Sequence, residues 1–199
     1  MSKKAMIFLV SVLLALVAAA YFFGIPLWVQ QVHTHTNNSA SNEQLQIVRG
    51  LFVKNNIPLD GLVITRIAIE NGRTHMFATQ VYETLPAFSD QLSYHFDPEG
   101  KPSISENGNP YIGDKIETVN VSLKPTISAL TAAYKLVPKI PGRFLSAELG
   151  LYDLNSGVSY APQNFALVWL IKPVGDDYPY AYVNAADGKT IYYDDGIRY

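Results

Sequence analysis

Residues 165–193 read FALVWLIKPVGDDYPYAYVNAADGKTIYY, and this stretch decides the fold class. Phe165 to Ile171 is an unbroken apolar run, too short for a comfortable helix and suited to a central strand covered on both faces. Tyr178 to Val183 and Thr190 to Tyr193 flank Asp187-Gly188-Lys189. That triplet reads as a hairpin turn, in which glycine accepts the positive backbone angle and lysine starts the returning strand. Phe165, Leu167, Trp169 and Ile171 share one strand face. A helix opened by Pro125 and Thr126 and running through Lys135 is expected to cover that face with Leu130 and Tyr134, which makes Trp169 a core anchor.

Working outward, the string SYHFDPEGKP from Ser93 to Pro102 matches AYVNAADGKT from Ala181 to Thr190. Tyr94 aligns with Tyr182, Gly100 with Gly188 and Lys101 with Lys189, at a constant offset of 88 residues. The segments before the two turns also correspond. Ser41 and Gln44 have capping-box spacing ahead of Leu45, Val48, Leu51 and Phe52, an amphipathic pattern that ends near Asn56 and Pro58. Gly61 to Glu70 then alternates, with Val63, Ile67 and Ile69 on one face, and Asn71-Gly72 is a strong hairpin signal before Thr74 to Tyr82. In the second half Ala147, Leu149 and Leu151 alternate, and Asp153 to Gly157 is turn-like. The expected fold class is therefore α+β, with an N-terminal transmembrane helix followed by two modules, 41–108 and 109–199, each a helix packed on an antiparallel sheet.

The transmembrane expectation comes from Ala5 to Val29, an uncharged and mostly apolar run behind Lys3 and Lys4. As a helix it would reach roughly 38 Å, enough to cross a hydrocarbon core of about 30 Å with tilt. A cleaved signal peptide is the competing reading, because Ala18-Ala19-Ala20 supplies small residues for a peptidase. The run stays apolar past them through Tyr21, Phe22, Phe23, Ile25, Leu27, Trp28 and Val29, which favours an uncleaved anchor over 1–29. The implied localisation is a single-pass protein of the cell membrane, its N-terminus cytoplasmic and its C-terminal part extracytoplasmic. Residues 30–40 read as a polar linker. His33 and His35 lie in it and are taken as solvated.

Composition narrows the function classes. Of 199 residues, 48% are hydrophobic and 16% charged, which excludes a disordered or coiled-coil chain. A net charge of -2 gives no footprint for nucleic acid. The chain has no cysteine, so disulfide scaffolds, thiol catalysis and cysteine-ligated zinc drop out.

The segment from Thr126 to Tyr193, above all FALVWLIKP followed by YAYVNAADGKTIYY, resembles a PepSY domain, the module shared by bacterial peptidase propeptides and many membrane-anchored proteins. The family's recurrent ending is a strand and a V-D-A-x-T-G-x-V hairpin, and this chain has Val183-Asn184-Ala185-Ala186-Asp187-Gly188-Lys189-Thr190-Ile191. Asn184 stands where the family usually has Asp, and Asp187 where it often has Thr. Residues 41–104 resemble the family more faintly, mainly through FDPEGKPSI. The resemblance implies cystatin-like modules that inhibit, chaperone or bind a partner, with no catalytic residues to carry over.

Searches for chemistry agree with that expectation. There is no H-E-x-x-H, no G-x-S-x-G and no G-x-G-x-x-G behind a strand. Gly188-Lys189-Thr190 looks like the end of a phosphate loop, but Val183 occupies the place of its first glycine. His75 and His95 fall in strand patterns and are read as sheet-surface residues. Asp153, Asn155 and Gly157 lack the remaining ligands of a calcium loop. The chain is expected not to be an enzyme, and to have neither catalytic residues, metal nor cofactor.

One region combines clustered acids with aromatic residues. Asp176, Asp177, Tyr180, Tyr182, Asp194 and Asp195 are the candidate partner-binding residues, with tyrosines giving contact area and acids giving steering. The expected function is a membrane-anchored, extracytoplasmic protein-interaction module that restrains or regulates a peptidase or envelope enzyme. The alternative is a small ligand or cell-wall glycan held in a cleft between the two modules.

Overall fold

The computed structural model describes residues 28–32, 40–106, 108–116, 118–136, 140, 144–156, 158 and 161–198. Its strands are β1 (Trp28–Val32), β2 (Leu62–Glu70), β3 (Arg73–Tyr82), β4 (Leu85–Phe96), β5 (Phe144–Asp153), β6 (Phe165–Pro173), β7 (Tyr180–Asn184) and β8 (Thr190–Asp194). The helices are α1 (Asn42–Lys54) and α2 (Ala129–Tyr134). Strand neighbours follow the order β2-β3-β4-β5-β6-β7-β8, and β1 runs parallel to β5.

This corrects the α+β expectation. The described chain is dominated by strands and has only two short helices. The second helix is much shorter than expected because Thr126 and Ile127 both donate their backbone N–H to the Ala185 carbonyl, at 2.9 and 3.0 Å. Those bonds hold the segment in a bend outside the helix until Ser128 caps the helix by accepting from the Thr131 backbone N–H.

The membrane expectation is also corrected. Among the described residues no helix is long and apolar enough to cross a membrane. Trp28 and Val29, the last residues of the expected anchor, belong to strand β1. So do Gln30 to Val32, which were expected in the linker. The rest of the anchor, residues 1–27, lies outside the described residues, as do His33 and His35. The single-pass localisation rested on a spanning helix that is not found among the described residues.

Two compact units divide the chain. The first comprises, of the described residues, 40–121 and 150–166; the second comprises 28–32, 122–149 and 167–198.

In the first unit the Ser41 capping box forms: Ser41 Oγ accepts from the Gln44 N–H at 3.2 Å, and the Ser41 N–H donates to Gln44 Oε1 at 2.8 Å. Helix α1 buries Val48 and Phe52 completely against a sheet face made of Ile67, Met76, Ala78, Leu92, Tyr94 and Phe96. Phe52 sits 4.8 Å from the Tyr94 ring and 5.8 Å from the Phe96 ring, centroid to centroid. Asn71 and Gly72 link β2 to β3 with both φ angles positive, at 52° and 76°, as a tight type I′ hairpin turn requires.

In the second unit the strands supply the bulk. Leu145 and Ala147 on β5, Leu167, Trp169 and Ile171 on β6, and Ala181 and Val183 on β7 are buried. Trp169 is 2% exposed, and its indole N–H donates to the Ile127 carbonyl at 3.0 Å. Helix α2 contributes Ala129, Ala132 and Ala133 to the interior, while Leu130 and Tyr134 are about half exposed. The covering residues are therefore the alanines and not the expected Leu130 and Tyr134.

Candidate interaction face

Alternation along β7 turns Ala181 and Val183 inward and leaves Tyr180 and Tyr182 on the opposite face. Across the β7–β8 ladder Tyr182 pairs with Tyr192, and Tyr180 pairs with Asp194. On the other side Leu170 of β6 lies opposite Tyr182, which puts Lys172 on the same face two residues on. A single sheet face thus gathers residues from three strands.

The rings form a connected group. Tyr180 lies 5.5 Å from Tyr178, 5.6 Å from Tyr182 and 5.9 Å from Tyr192, and Tyr182 lies 6.0 Å from Tyr192. These separations fall in the range where aromatic pairs attract beyond simple burial. Arg198 closes the group at one end. Its guanidinium stands 5.3 Å over the Tyr178 ring, donates to Tyr178 Oη at 3.1 Å, and reaches both Asp194 oxygens at 3.2 and 3.3 Å. The close approach depends on Gly196, whose φ is 78° and where a Cβ would stand 2.7 Å from the Tyr178 side chain.

Electrostatics follow from these contacts. The Arg198 hydrogen bonds, and then the Gly196 N–H, hold the Asp194 carboxyl below its usual range. Burial, and then the neighbouring Tyr192 and Asp194, push the Tyr180 phenol up, so it stays a neutral hydroxyl. On β5, burial raises the Glu148 carboxyl to about 7, against the lowering pull of Lys172.

The candidate residues named from sequence therefore fall into three settings. Tyr180, Tyr182 and Asp194 are brought together on the ring face. Asp177 lies in the β6–β7 loop and pairs with Lys172 at 3.0 Å; Asp176 precedes it and is exposed. Asp195 follows β8 and accepts the Ile197 N–H at 2.9 Å, a turn contact. The sequence also shows Tyr178 and Tyr192 interleaved with these acids and Arg198 as one of the few cations facing them, but it does not place the three among the candidate residues. The offset of two between Tyr178, Tyr180 and Tyr182 was the available signal.

Sequence reasoning also missed a polar groove of about 980 Å³ within the first unit. Ser89, Asp90 and Gln91 line it together with Asn109, Asp114, Lys115, Asp153 and Gln163. Gln80 holds the loop: its amide N–H donates to the Asp114 carbonyl at 2.7 Å and its oxygen accepts from the Ile116 N–H at 2.9 Å. Asp153 Oδ1 accepts from the N–H groups of Asn155 and Asn164, so this carboxylate builds the turn. Asp90 is raised to about 6, mainly by burial, with Asp153 and Asp114 adding to the rise and the Ser89 hydroxyl opposing it. Among the described residues no group of three or more His, Cys, Asp or Glu could hold a metal ion.

No protein-family model matches the chain. No curated protein matches it either. Among solved structures it is similar to the Bacillus megaterium YpeB C-terminal domain, at 16% identity and a TM-score of 0.44, over 84% of this chain and 70% of that one.

Proposed function

We propose that the protein is a binding module without catalytic activity of its own, and that the tyrosine face of β7 and β8 docks on a protein partner. The observation that carries this reading is the connected group Tyr178, Tyr180, Tyr182 and Tyr192, clamped by Arg198 and Asp194. Tyrosine gives large, rigid contact area with few rotatable bonds, and arginine and tyrosine are favoured where interface energy concentrates. The partner class is a peptidase or an envelope-synthesis enzyme, which rests on the resemblance of Thr126 to Tyr193 to PepSY domains. Asp177 and Asp194 are neutralised by Lys172 and Arg198, so Asp176 and Asp195 carry the long-range steering.

The test is a photocrosslinking residue at Tyr192, which is 41% exposed, followed by mass spectrometry of the adduct. A peptidase or envelope enzyme should be recovered, and Tyr180→Ser or Tyr182→Ser should weaken its binding by about tenfold or more, the loss expected of a central aromatic. Capture unchanged by both substitutions would refute the reading. A second reading, a small polar ligand in the groove of the first unit, is favoured by the groove's volume. It predicts instead that Asn109→Ala or Lys115→Ala abolishes binding while the tyrosine variants do not.

A further inference from the structure

His75 of β3 and His95 of β4 are direct cross-strand partners in the antiparallel ladder. Their Nδ1 atoms are 2.6 Å apart, and the ring centroids 4.9 Å apart at an interplanar angle of 63°. Both point away from α1, because the alternating residues Met76, Tyr94 and Phe96 occupy the helix-facing side. We propose that this pair is a two-imidazole chelate for a divalent transition-metal ion of the copper type.

Coordination geometry sets the spacing a bound ion would need. Two nitrogens each about 2.0 Å from a metal stand about 2.8 Å apart when they subtend a right angle, and about 3.3 Å apart at the tetrahedral angle. The observed 2.6 Å is that of a hydrogen bond in which one imidazole donates its Nδ1–H to the other; an ion replacing that proton reaches the right-angle arrangement of tetragonal Cu²⁺ or Ni²⁺ with the smaller opening of the pair. Opening by a few tenths of an ångström needs only small rotations about the two side chains, since both backbones are fixed by the ladder. Imidazole is a good donor for these ions, and Cu²⁺ leads the affinity order of the divalent series.

The surroundings define the rest of the site. On β2, the small side chain opposite His75 is that of Ala68. Along the same face Arg66 stands 5.6 Å over the Phe77 ring, and the Phe77 and His95 rings meet edge to face with centroids 6.4 Å apart. Glu70 is the carboxylate on that face of β2, and it lies opposite Arg73 in the register. Water therefore completes the coordination, so the site is a two-nitrogen site of modest affinity with open positions.

The test uses the full chain carrying His33→Ala and His35→Ala, so that the H-x-H pair near the N-terminus does not compete. Titration with CuSO₄ should give a saturable site whose electron paramagnetic resonance spectrum shows two nitrogen donors. His75→Asn and His95→Asn should each weaken it by about tenfold or more, and Zn²⁺ should bind far more weakly than Cu²⁺. Copper should also broaden the imidazole proton signals of His75 and His95 first, a readout that needs no substitution at either ring. Copper affinity unchanged in both variants, broadening centred elsewhere, or equal affinity for zinc would each overturn the proposal.

Discussion

The two acid-Gly-Lys turns use one device in two differently built units. In the first, Lys54 at the end of α1 donates to the Glu99 carbonyl at 2.5 Å, and Asn55 adds a bond to the Gly100 carbonyl at 2.8 Å. In the second, Lys135 at the end of α2 donates to the Asp187 carbonyl at 2.8 Å. Both glycines have positive φ, 77° and 74°. Each turn thus satisfies a lysine from the helix that precedes it and fixes where that helix ends. What differs is how the interior is filled. Helix α1 brings Val48 and Phe52 to its sheet, whereas α2 brings three alanines and the strands provide Trp169. A shared latch therefore does not dictate a shared core; large side chains can come from either layer provided the other layer yields.

The largest effect should come from removing the bulk where only one layer supplies it. Trp169→Ala deletes a buried indole, and α2 has only methyl groups to offer the space. The cost should be about 3 to 5 kcal/mol, measured by denaturant unfolding. Phe52→Ala should fall at the low end of the same range, because Tyr94 and Phe96 can tilt toward the void. A Trp169→Ala loss under about 1 kcal/mol would show that the second unit has no such dependence.

The reverse change probes the same asymmetry from the helix side. Ala132 is fully buried, and Ala132→Leu should cost about 1 to 3 kcal/mol through overpacking. At Val48 the helix already carries a branched chain into the core, so Val48→Ile should cost less. Equal losses at the two positions would remove the distinction between a helix that fills and a helix that yields.

Part of this was legible in the sequence. The capping box at Ser41, the Asn71-Gly72 hairpin and the apolar run of β6 are local signals, and local hydrogen bonding or alternation is enough to produce them. The length of α2 was not legible, because it is set by the bonds from Thr126 and Ile127 to Ala185, a partner far along the chain. The strand order was equally hidden, since alternation says which face is buried but not which strand lies alongside. The tyrosine face could be read halfway: the acids and rings of 176–195 were visible as a cluster, but only the β7–β8 register separates Tyr180, Tyr182 and Asp194 from Asp176 and Asp195. Asp90 and Gln80 offered an overlooked clue. Each ends an inward-facing stripe, Asp90 with Leu92, Tyr94 and Phe96, and Gln80 with Thr74, Met76 and Ala78, and a polar residue in such a stripe marks the start of a polar groove.

The latches themselves should differ in tolerance. A Cβ at Gly100 would stand 2.8 Å from the Leu51 side chain, and one at Gly188 2.6 Å from the end of the Lys135 side chain. Both Gly→Ala changes carry the backbone strain of positive φ, about 1 kcal/mol. Lys135 is long and can swing aside, while Leu51 packs against the core of the first unit. Gly100→Ala should therefore cost about 2 kcal/mol and Gly188→Ala about 1 kcal/mol. The opposite order in thermal melts would show that the lysine contact, and not the packed leucine, is the rigid part of the device.

The smallest effect separates the two units by pH. Each has a carboxyl held above its usual range: Asp90 at about 6 and Glu148 at about 7. For a group raised on folding, the stabilisation is complete below the unfolded value and is lost as pH rises through the folded one. For Asp90 the loss runs from its ordinary 3.8 up to about 6, and for Glu148 from 4.5 up to about 7. Glu148→Gln should then be near neutral at about pH 4 and gain about 1 kcal/mol at about pH 8, allowing for solvent screening. Asp90→Asn should reach its full gain earlier, just above pH 6. Salt should move the two in opposite directions. The charges of Asp153 and Asp114 raise Asp90, so screening lowers it; the charge of Lys172 lowers Glu148, so screening raises it. NMR titration of the two carboxyl carbons at low and high salt reads this directly, and shifts of the same sign would mean that the neighbouring charges assigned to one of the two sites are wrong.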